Sequence, residues 1–274
     1  MKTSAVKIYQ KMTRKLINFR DRYYFGKITE LIPELALYHE NVIVQLYRIT
    51  EEKNIRSLRE LYHLIRSDQK ELDFLKKNLT LMGSHFFRGS DWDILNEQCL
   101  SSFAGREKVS VWCAGCSSGE EVYSVIMSLL DHLPIDALRI LATDYNAEKL
   151  ERCRAGKYGP THLEEVPEKY RHHLVRVKSS FTFSPEIRDA VTVRQLNLLT
   201  DEYPSGFDLI VCRNVIKFFT PETVKEVQKK LVSSLADGGF LFLSVNDEGD
   251  NRETIDDPDS LHVRQIGSCI YQKP

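Results

Sequence analysis

A run of six small residues, AGCSSG at positions 114–119, separates a strand-like apolar segment from a helix-like one. The preceding VSVWC is rich in β-branched and aromatic residues, which is typical of a buried strand, and the following EEVYS opens a helical pattern. A turn without bulky side chains lets a ligand approach the backbone and the helix N-terminus. The run therefore predicts a ligand-binding turn in an α/β domain, with an ordinary strand-turn-helix connection as the alternative.

The two acids that open the following helix, Glu120 and Glu121, constrain the charge of such a ligand. A bare helix N-terminus attracts phosphate groups, but two carboxylates at that point would repel them. A nucleoside-like ligand with positive charge fits better, and S-adenosylmethionine combines adenosine with cationic amino and sulfonium groups. A nicotinamide-linked dehydrogenase is disfavoured, because the GxGxxG pattern is also missing.

Three further strand-like segments follow, RILATD at 139–144, FDLIVCRN at 207–214 and a last one at 240–245 after a turn at 237–239. Asp144 ends the first of them, where a carboxylate commonly binds ribose hydroxyls. Before the last one, Thr220-Pro221-Glu222 predicts the start of a helix that runs to about residue 235. Strands that alternate with helices predict an α/β fold with a parallel sheet.

The composition fits a globular protein with proper cores, since 42% of its 274 residues are apolar. Neither a signal peptide nor a run of about 18 apolar residues is present, so a soluble, cytoplasmic protein without membrane insertion is expected. Six scattered cysteines suit a reducing compartment. Cys113 and Cys116 form a CxxC that also fits a redox pair or half a zinc site, but no further ligands stand at metal spacing, so no metal is predicted.

The N-terminal third has helical periodicity, which predicts a helical domain at 1–90 and a linker at 91–105 before the α/β domain at 106–274. The first 30 residues hold eight Lys or Arg and only two acids. Apolar residues at steps of three and four predict an amphipathic helix with a basic outer face, and they are Tyr9, Met12, Leu16, Phe19 and Tyr23. That face is either merely solvated or docks an acidic partner surface.

The order of five segments resembles the CheR family of chemotaxis-receptor methyltransferases, and the resemblance extends from about residue 45 to 271. The segments are LTLMGSHFFRG, VWCAGCSSGEEVYS, LATD, QLNLL and FDLIVCRNVIKFF. The resemblance implies a Rossmann-like class I S-adenosylmethionine-dependent methyltransferase domain behind an all-helical N-terminal domain. It also implies a small antiparallel β-hairpin subdomain inserted at about 169–192, with VRV and FTF as its strands.

The resemblance implies a set of cofactor-binding residues along the predicted strand ends. Gly115 and Glu120 would hold the methionine end of S-adenosylmethionine, and Asp144 would bind its ribose. Asn197 and Leu198 would lie against the adenine. Taken one at a time, these residues also suit structural roles, such as a helix-end charge or a turn residue, and it is their common order that favours cofactor binding.

The resemblance also implies which residues lie at the acceptor side of the site. They come from the segment before the α/β domain and from the third predicted strand with the residues that follow it. Arg88 would orient the acceptor carboxylate over the transferable methyl, with Ser84 and Phe218 beside it as the other catalytic residues. Asn214 would close the cofactor site from the end of the third strand. Phe218 stands where the family usually has a tyrosine, so an aromatic wall is kept and a hydroxyl is lost.

Further departures from the family pattern lie on the same side. Met82 replaces an asparagine, Ser84 a threonine and Gly89 a glutamate, while Lys217 precedes Phe218. The cofactor residues match the family. The substrate is therefore less firmly indicated than the cofactor.

The resemblance implies a protein-glutamate O-methyltransferase that acts in chemotaxis adaptation and produces S-adenosylhomocysteine. Its expected partners are the cytoplasmic helices of methyl-accepting chemoreceptors, with neither nucleic acid nor a membrane bound, and a monomer is expected. Two alternatives stay open. One is a non-catalytic signalling module that binds S-adenosylmethionine or S-adenosylhomocysteine, and the other is a methyltransferase with a different acceptor.

Overall fold

The chain divides into two compact units, one formed by residues 1–82 with 218–220 and the other by 83–217 with 221–274. The structure, a computed structural model, describes residues 19–32, 35, 42–78, 84–89, 92–244 and 254–274. Among these residues, none of the helices has the length and apolar character needed to cross a bilayer.

The first unit is helical, as the periodicity predicts. Its described helices are α1 (Phe19–Leu31), α2 (Val42–Glu52), α3 (Leu58–Ser67) and α4 (Gln69–Asn78). They share one apolar core, in which Ile28, Leu46 and Leu61 are almost completely buried. Helix α3 begins at an N-cap, because the Ser57 hydroxyl accepts a hydrogen bond from the Glu60 N–H at 3.2 Å.

The prediction of an apolar face on the N-terminal helix is wrong at Tyr23, the last residue of that face. Its side chain is 54% exposed, whereas Tyr24 packs on the core and Ile28 is buried. The reason is that the buried face follows a different row of residues, spaced by four from Tyr24 to Ile28 to Ile32. The earlier part of the stripe, residues 9–16, lies outside the described residues.

The second unit contains a seven-stranded sheet. Its strands are β1 (Val109–Ala114), β2 (Leu138–Asp144), β6 (Val191–Gln195), β7 (Phe207–Val211), β8 (Leu235–Phe242), β9 (Arg264–Gln265) and β10 (Ile270–Gln272). The order is β6-β2-β1-β7-β8-β10-β9, with the first five strands parallel and the last two antiparallel to their neighbours. This confirms the predicted α/β class.

Helices of this unit connect the strands and cover the sheet. They are α5 (Trp92–Gln98), α6 (Glu120–Leu129), α7 (Ala147–Ala155), α8 (Pro185–Asp189) and α9 (Pro221–Ser234). Helix α5 lies in the stretch predicted as a linker. Its Trp92 ring contacts Phe242 with centroids 6.0 Å apart, and Phe103 contacts Phe240 at 5.8 Å, so this stretch packs against β8.

A second, smaller sheet has three antiparallel strands in the order β3-β5-β4, namely β3 (Lys157–Tyr158), β5 (Ser180–Phe183) and β4 (Leu174–Val177). The predicted hairpin of VRV and FTF is confirmed as β4 and β5. The third strand, β3, was not predicted, because two residues are too few for a periodicity signal. The predicted insertion also extends too far, since Val191 and Thr192 belong to β6 of the main sheet.

The strand boundaries around the predicted turn at 237–239 differ from the prediction. Strand β8 begins at Leu235, before that turn, and its register against β7 shifts between Phe207, opposite Leu235, and Leu209, opposite Phe240. The extra residues form an irregularity within the strand, where Gly238 takes a φ of +76°. Strand β7 ends at Val211, so the predicted CRN continuation is a loop.

Gly119, which precedes α6, is predicted to be a position where no other residue fits. Its φ is +92°, and a Cβ built there would lie 2.6 Å from Cys153 Sγ. We expect Gly119→Ala to lower the free energy of unfolding by about 2–5 kcal/mol, from left-handed strain of about 1–2 and overpacking of about 1–3 kcal/mol. Urea unfolding followed by tryptophan fluorescence measures it, because Trp92 and Trp112 both lie in the second unit.

Gly206 provides the matched control for that measurement. Its φ is +87°, yet a Cβ there would meet nothing within 4 Å. Gly206→Ala should therefore cost only the strain, about 1–2 kcal/mol. Equal losses in the two variants would contradict the steric part of the argument.

Candidate functional site

The carboxyl ends of four parallel strands meet at one edge of the main sheet, which is where α/β sheets bind ligands. The turn at 114–119 follows β1, and Asp144 ends β2. Asn197 and Leu198 follow β6, and Asn214 follows β7. The structure thus brings the six predicted cofactor residues to the same edge.

The turn after β1 is tied to the end of β2 through backbone bonds. The N–H groups of Gly115 and Cys116 both donate to the Thr143 carbonyl at 2.8 Å. Gly115 has a φ of +76°, and a Cβ there would lie 2.5 Å from Val215 Cγ2. Glycine is therefore required at 115 by backbone conformation and by close packing.

The Asp144 carboxylate is held by the backbone on both sides. Its Oδ2 accepts from the Ser117 N–H and its Oδ1 from the Asn146 N–H, each at 2.8 Å. Burial raises the pKa of Asp144, and these N–H bonds partly oppose that rise. A carboxylate offers about four acceptor positions. Asp144 can therefore accept ribose hydroxyls while its orientation stays fixed.

The Glu120 side chain opens α6 and is nearly buried, since the residue is only 4% exposed. The Ser118 hydroxyl lies 2.9 and 2.7 Å from its two carboxylate oxygens and donates to them. His162 Nε2 lies 3.8 Å from Oε1. A buried carboxylate at this position suits a cationic amino group, which would replace the water lost on burial.

Tyr158 and His162 extend the site beyond the residues that the sequence indicates. The Tyr158 hydroxyl donates to the Ser118 carbonyl at 2.8 Å. This bond connects the small sheet, to which Tyr158 belongs, with the turn at 114–119. Both rings contact Phe86, with centroids 4.9 and 6.3 Å away. The sequence offered no signal for them, because they lie about 40 residues downstream of the turn they support.

Asn197 supports its own turn. Its Oδ1 accepts from the Leu199 N–H at 2.9 Å, and its N–H donates to Asp201 Oδ2 at 2.9 Å. Leu198 is buried, and its carbonyl accepts from the Tyr203 hydroxyl at 2.7 Å. These bonds fix the loop after β6, and the adenine contacts of Asn197 and Leu198 remain predictions.

Asn214 lies just after β7 in a left-handed conformation with a φ of +57°. Its N–H donates to the buried Ser244 hydroxyl at 3.1 Å. Asparagine tolerates this backbone conformation better than most residues. Its predicted closing role stays a prediction beside this structural one.

The segment 84–89, which carries Arg88, is anchored to the second unit by its two phenylalanines. The Phe87 ring stacks on Tyr170 with centroids 5.0 Å apart and planes 5° apart, and the Phe87 N–H donates to Ser124 Oγ at 3.0 Å. The Phe86 N–H donates to Glu165 Oε2 at 3.0 Å. These contacts fix the backbone on the N-terminal side of Arg88.

A buried arginine, Arg213, contacts both this segment and the start of α6. Its Nη1 lies 2.8 Å from Glu121 Oε2, and its Nη2 donates to the Arg88 carbonyl at 2.7 Å. The second acid of the helix start is thus neutralised, so Glu120 alone presents its charge to the turn. The sequence places Arg213 at the end of a predicted strand. It does not indicate the partners of Arg213, because they lie 92 and 125 positions away along the chain.

The structure shows less about the other two predicted catalytic residues, Ser84 and Phe218. Ser84 is partly buried at the start of the anchored segment. Phe218 ends the 3-10 turn Ile216–Phe218 and groups with the first unit. Their roles at the reacting methyl remain predictions.

The cysteine pair of the turn has the character of core residues. Cys113 and Cys116 are free thiols and are buried, and burial raises the pKa of each well above its ordinary value. Within the described ranges, His, Cys, Asp and Glu form no group of three or more that could hold a metal.

Comparison with known proteins gives the family. The family described as CheR methyltransferase, SAM binding domain, matches residues 83–257. The chain belongs to this family. A chemotaxis protein methyltransferase of Listeria monocytogenes is 35% identical over 237 residues, which cover 84% of this chain and 90% of the relative.

Two other relatives extend the comparison. Chemotaxis protein methyltransferase 1 of Pseudomonas aeruginosa is 28% identical over 223 residues, covering 76% of this chain and 81% of the relative. Chemotaxis protein methyltransferase 2 of Vibrio cholerae is 26% identical over 271 residues, covering 93% and 91%. The resemblance inferred from the motifs is confirmed. The second unit is a methyltransferase domain, and its cofactor is S-adenosylmethionine.

Asp144→Ala is predicted to weaken the binding of S-adenosylhomocysteine. The loss of charge-assisted bonds to the ribose should cost about 1.5–3 kcal/mol. Calorimetric titration measures it. Asp144→Asn, which keeps one oxygen to accept a backbone N–H, should fall between Ala and the wild type.

Asp237→Ala is a suitable control, since that side chain is 89% exposed on β8 and pairs with Lys273. It should leave the affinity unchanged. An Asp144→Ala protein with wild-type affinity would refute the ribose placement.

Proposed function

We propose that this protein transfers a methyl group from S-adenosylmethionine to glutamate side chains of chemoreceptors and thereby serves chemotactic adaptation. One observation carries the acceptor side of the proposal. Arg88 lies on a segment whose Phe87 N–H donates to Ser124 Oγ of α6 at 3.0 Å, and its carbonyl accepts from Arg213, which pairs with Glu121 at the start of that helix. The backbone that carries this cation is therefore held beside the helix that also presents Glu120, the residue predicted to bind the methionine end of the cofactor.

The acceptor chemistry needs little from the protein beyond alignment. A glutamate carboxyl has an ordinary pKa of about 4.3 and is anionic at neutral pH, so no general base is required. When bound, S-adenosylmethionine supplies an electrophilic methyl group, and S-adenosylhomocysteine is the product. The protein has to hold the carboxylate and exclude water.

Arg88 is the residue proposed to hold that carboxylate. A guanidinium that binds one carboxylate oxygen leaves the other directed at the methyl. Because the anchored segment fixes the backbone before it, only the Arg88 side chain has to be ordered when the acceptor binds. Such preorganisation lowers the barrier without any proton transfer.

Phe218 and Gly89 are two of the departures that bear on the acceptor. Loss of a tyrosine hydroxyl at 218 removes on the order of one hydrogen bond, about 0.5–1.5 kcal/mol or up to roughly tenfold in rate. The absence of a glutamate at 89 removes a negative charge next to Arg88. Neither change abolishes the alignment on which the proposal depends.

A second candidate is a non-catalytic module that binds S-adenosylmethionine or S-adenosylhomocysteine in signalling, and a third is a methyltransferase for a different acceptor. Both rest on the same observation, namely that the departures at Met82, Gly89, Lys217 and Phe218 fall on the acceptor side. The names of the relatives support the receptor methyltransferase instead.

The proposed partners are the cytoplasmic helices of methyl-accepting chemoreceptors, which places the protein in the cytoplasm. Five of the eight basic residues predicted to face an acidic surface, Lys11, Arg14 and Lys15 among them, lie outside the described residues, whereas Arg20 and Arg22 are exposed on α1 and Lys27 pairs with Glu30. Their docking role therefore rests on charge alone. The expectation of a monomer rests on the resemblance.

Arg88→Ala is predicted to lose methyl transfer by about 100-fold or more, which corresponds to the loss of about 3 kcal/mol of charged positioning. The affinity for S-adenosylhomocysteine should change little. The assay follows base-labile radiolabel from tritiated cofactor on receptor glutamates. Arg139→Ala serves as the control, because Arg139 lies near the amino end of β2, away from the site.

The result would count against this role if Arg88→Ala kept most of its activity, or if it lost cofactor binding in parallel. The second outcome would move Arg88 to the cofactor side.

Phe218→Tyr is predicted to leave the methylation rate unchanged or raise it by up to roughly tenfold, because it restores one hydrogen-bonding group. The same radiolabel assay measures it. If the wild type binds cofactor but labels no cognate receptor, and Phe218→Tyr switches labelling on, the natural protein is a sensor or scaffold.

A further inference from the structure

Arg213 is buried in an apolar environment, with only 2% of its side chain exposed. Its guanidinium carbon lies 4.6 Å from the centroid of the Phe242 ring and 5.6 Å from that of Trp92. A charge in such a place is costly unless it is paired and hydrogen-bonded. Its partners therefore determine what the residue does.

Those partners connect the end of β7 to the two elements that flank the reacting groups. One is Glu121 on α6, and the other is the Arg88 carbonyl, which also accepts from Trp92 Nε1 at 3.1 Å. Two donors thus converge on one backbone oxygen. The peptide plane that follows Arg88 is held from two directions.

Glu121 reinforces this arrangement electrostatically. Burial raises the pKa of its carboxyl, while the charges of Arg213 and Arg88 oppose the rise. One carboxylate therefore attracts both guanidinium groups. It pairs directly with Arg213, whose Nη1 lies 2.8 Å from Glu121 Oε2.

Gly89 makes room for the contact. A Cβ at this position would lie 3.2 Å from Arg213 Nη2, and its φ of +84° is one that side chains rarely adopt. The glycine that departs from the family pattern therefore lets the guanidinium reach the Arg88 carbonyl closely.

We propose that Arg213 is a positioning residue for methyl transfer, and that with Glu121 it forms a clamp that holds the Arg88 backbone in the reactive geometry. This inference rests on the proposed function, in which Arg88 orients the acceptor. A displacement of about 1 Å can cost roughly 100-fold in rate in such alignment-dependent reactions. The clamp acts through Arg88 and contacts neither substrate nor cofactor.

A double-mutant cycle with Arg88 tests whether the effect passes through that residue. Arg213→Met alone leaves the mostly covered Glu121 carboxylate unpaired, so the pair is removed together as Glu121→Gln with Arg213→Met. Arg213→Lys is the conservative variant. We expect the paired variant to lower single-turnover methyl transfer by about 10- to 100-fold, with S-adenosylhomocysteine affinity within about threefold of wild type. Arg213→Lys should recover part of the rate.

In the Arg88→Ala background the paired variant should change the rate by less than about twofold. A purely structural role would lower the rate equally in both backgrounds, and that result would overturn the proposal. The ion pair of Arg106 with Asp208, near the amino ends of β1 and β7, is the matched control, and Asp208→Asn keeps an oxygen that can accept the Ser110 N–H. Its removal as Arg106→Met with Asp208→Asn should leave transfer unchanged.

Amide hydrogen exchange supplies a readout that does not require activity. In the paired variant the amides of residues 86–89 should exchange at least about tenfold faster, while those of β1 stay protected. The Arg106 and Asp208 control should not change residues 86–89. Unchanged exchange at 86–89 in the paired variant would overturn the clamp. Faster exchange in a protein that methylates no receptor would support the clamp and refute the proposed function.

Discussion

The last two residues of β2 hold the ligand-binding turn. Thr143 accepts the N–H groups of Gly115 and Cys116 on its carbonyl, and its hydroxyl accepts from the buried Trp112 Nε1 at 2.9 Å. Asp144 then accepts the Ser117 N–H. Because the same strand end supplies the carboxylate proposed for the ribose, the shape of the turn and the position of that carboxylate cannot change independently. Parallel pairing of β1 with β2 is thus the condition for the site.

Electrostatics at the start of α6 are more asymmetric than two neighbouring acids suggest. Glu121 pairs with Arg213, whereas Glu120 receives a hydroxyl from Ser118 and faces His162 at 3.8 Å. Of the two carboxylates, only Glu120 is therefore left to repel a phosphate. A single buried carboxylate is still enough to favour a cationic amino group over an anion. The N-terminus of α6 already has the negative charge of Glu120 beside it, so it attracts a second anion only weakly.

Much of the architecture was predictable from the sequence, because strands β1, β2 and β7 are long apolar runs that end in small or polar residues. The hairpin strands β4 and β5 were predicted for another reason, because the family resemblance implies an inserted hairpin and VRV and FTF stand in that stretch. The two-residue strands β3 and β9 were not, since so short a segment carries no periodicity. Arg213 could be located but not interpreted, because its partners are set by tertiary contacts across the chain. The contacts of Trp92 and Phe103 in the predicted linker with β8 were likewise not indicated, since they are tertiary contacts.

The anchoring of the Arg88 segment has a consequence for engineering. Phe86 packs edge-on against Tyr158 at 4.9 Å and lies 5.9 and 6.2 Å from Phe181 and Phe183 of the small sheet. The aromatic residues of the inserted subdomain and the residues that lead to Arg88 therefore form one cluster. A chimaera that exchanges the subdomain between relatives has to exchange residues 84–89 with it, because a mismatched cluster would move Arg88, the residue proposed to bind the acceptor. Any evolutionary change in that subdomain is subject to the same coupling.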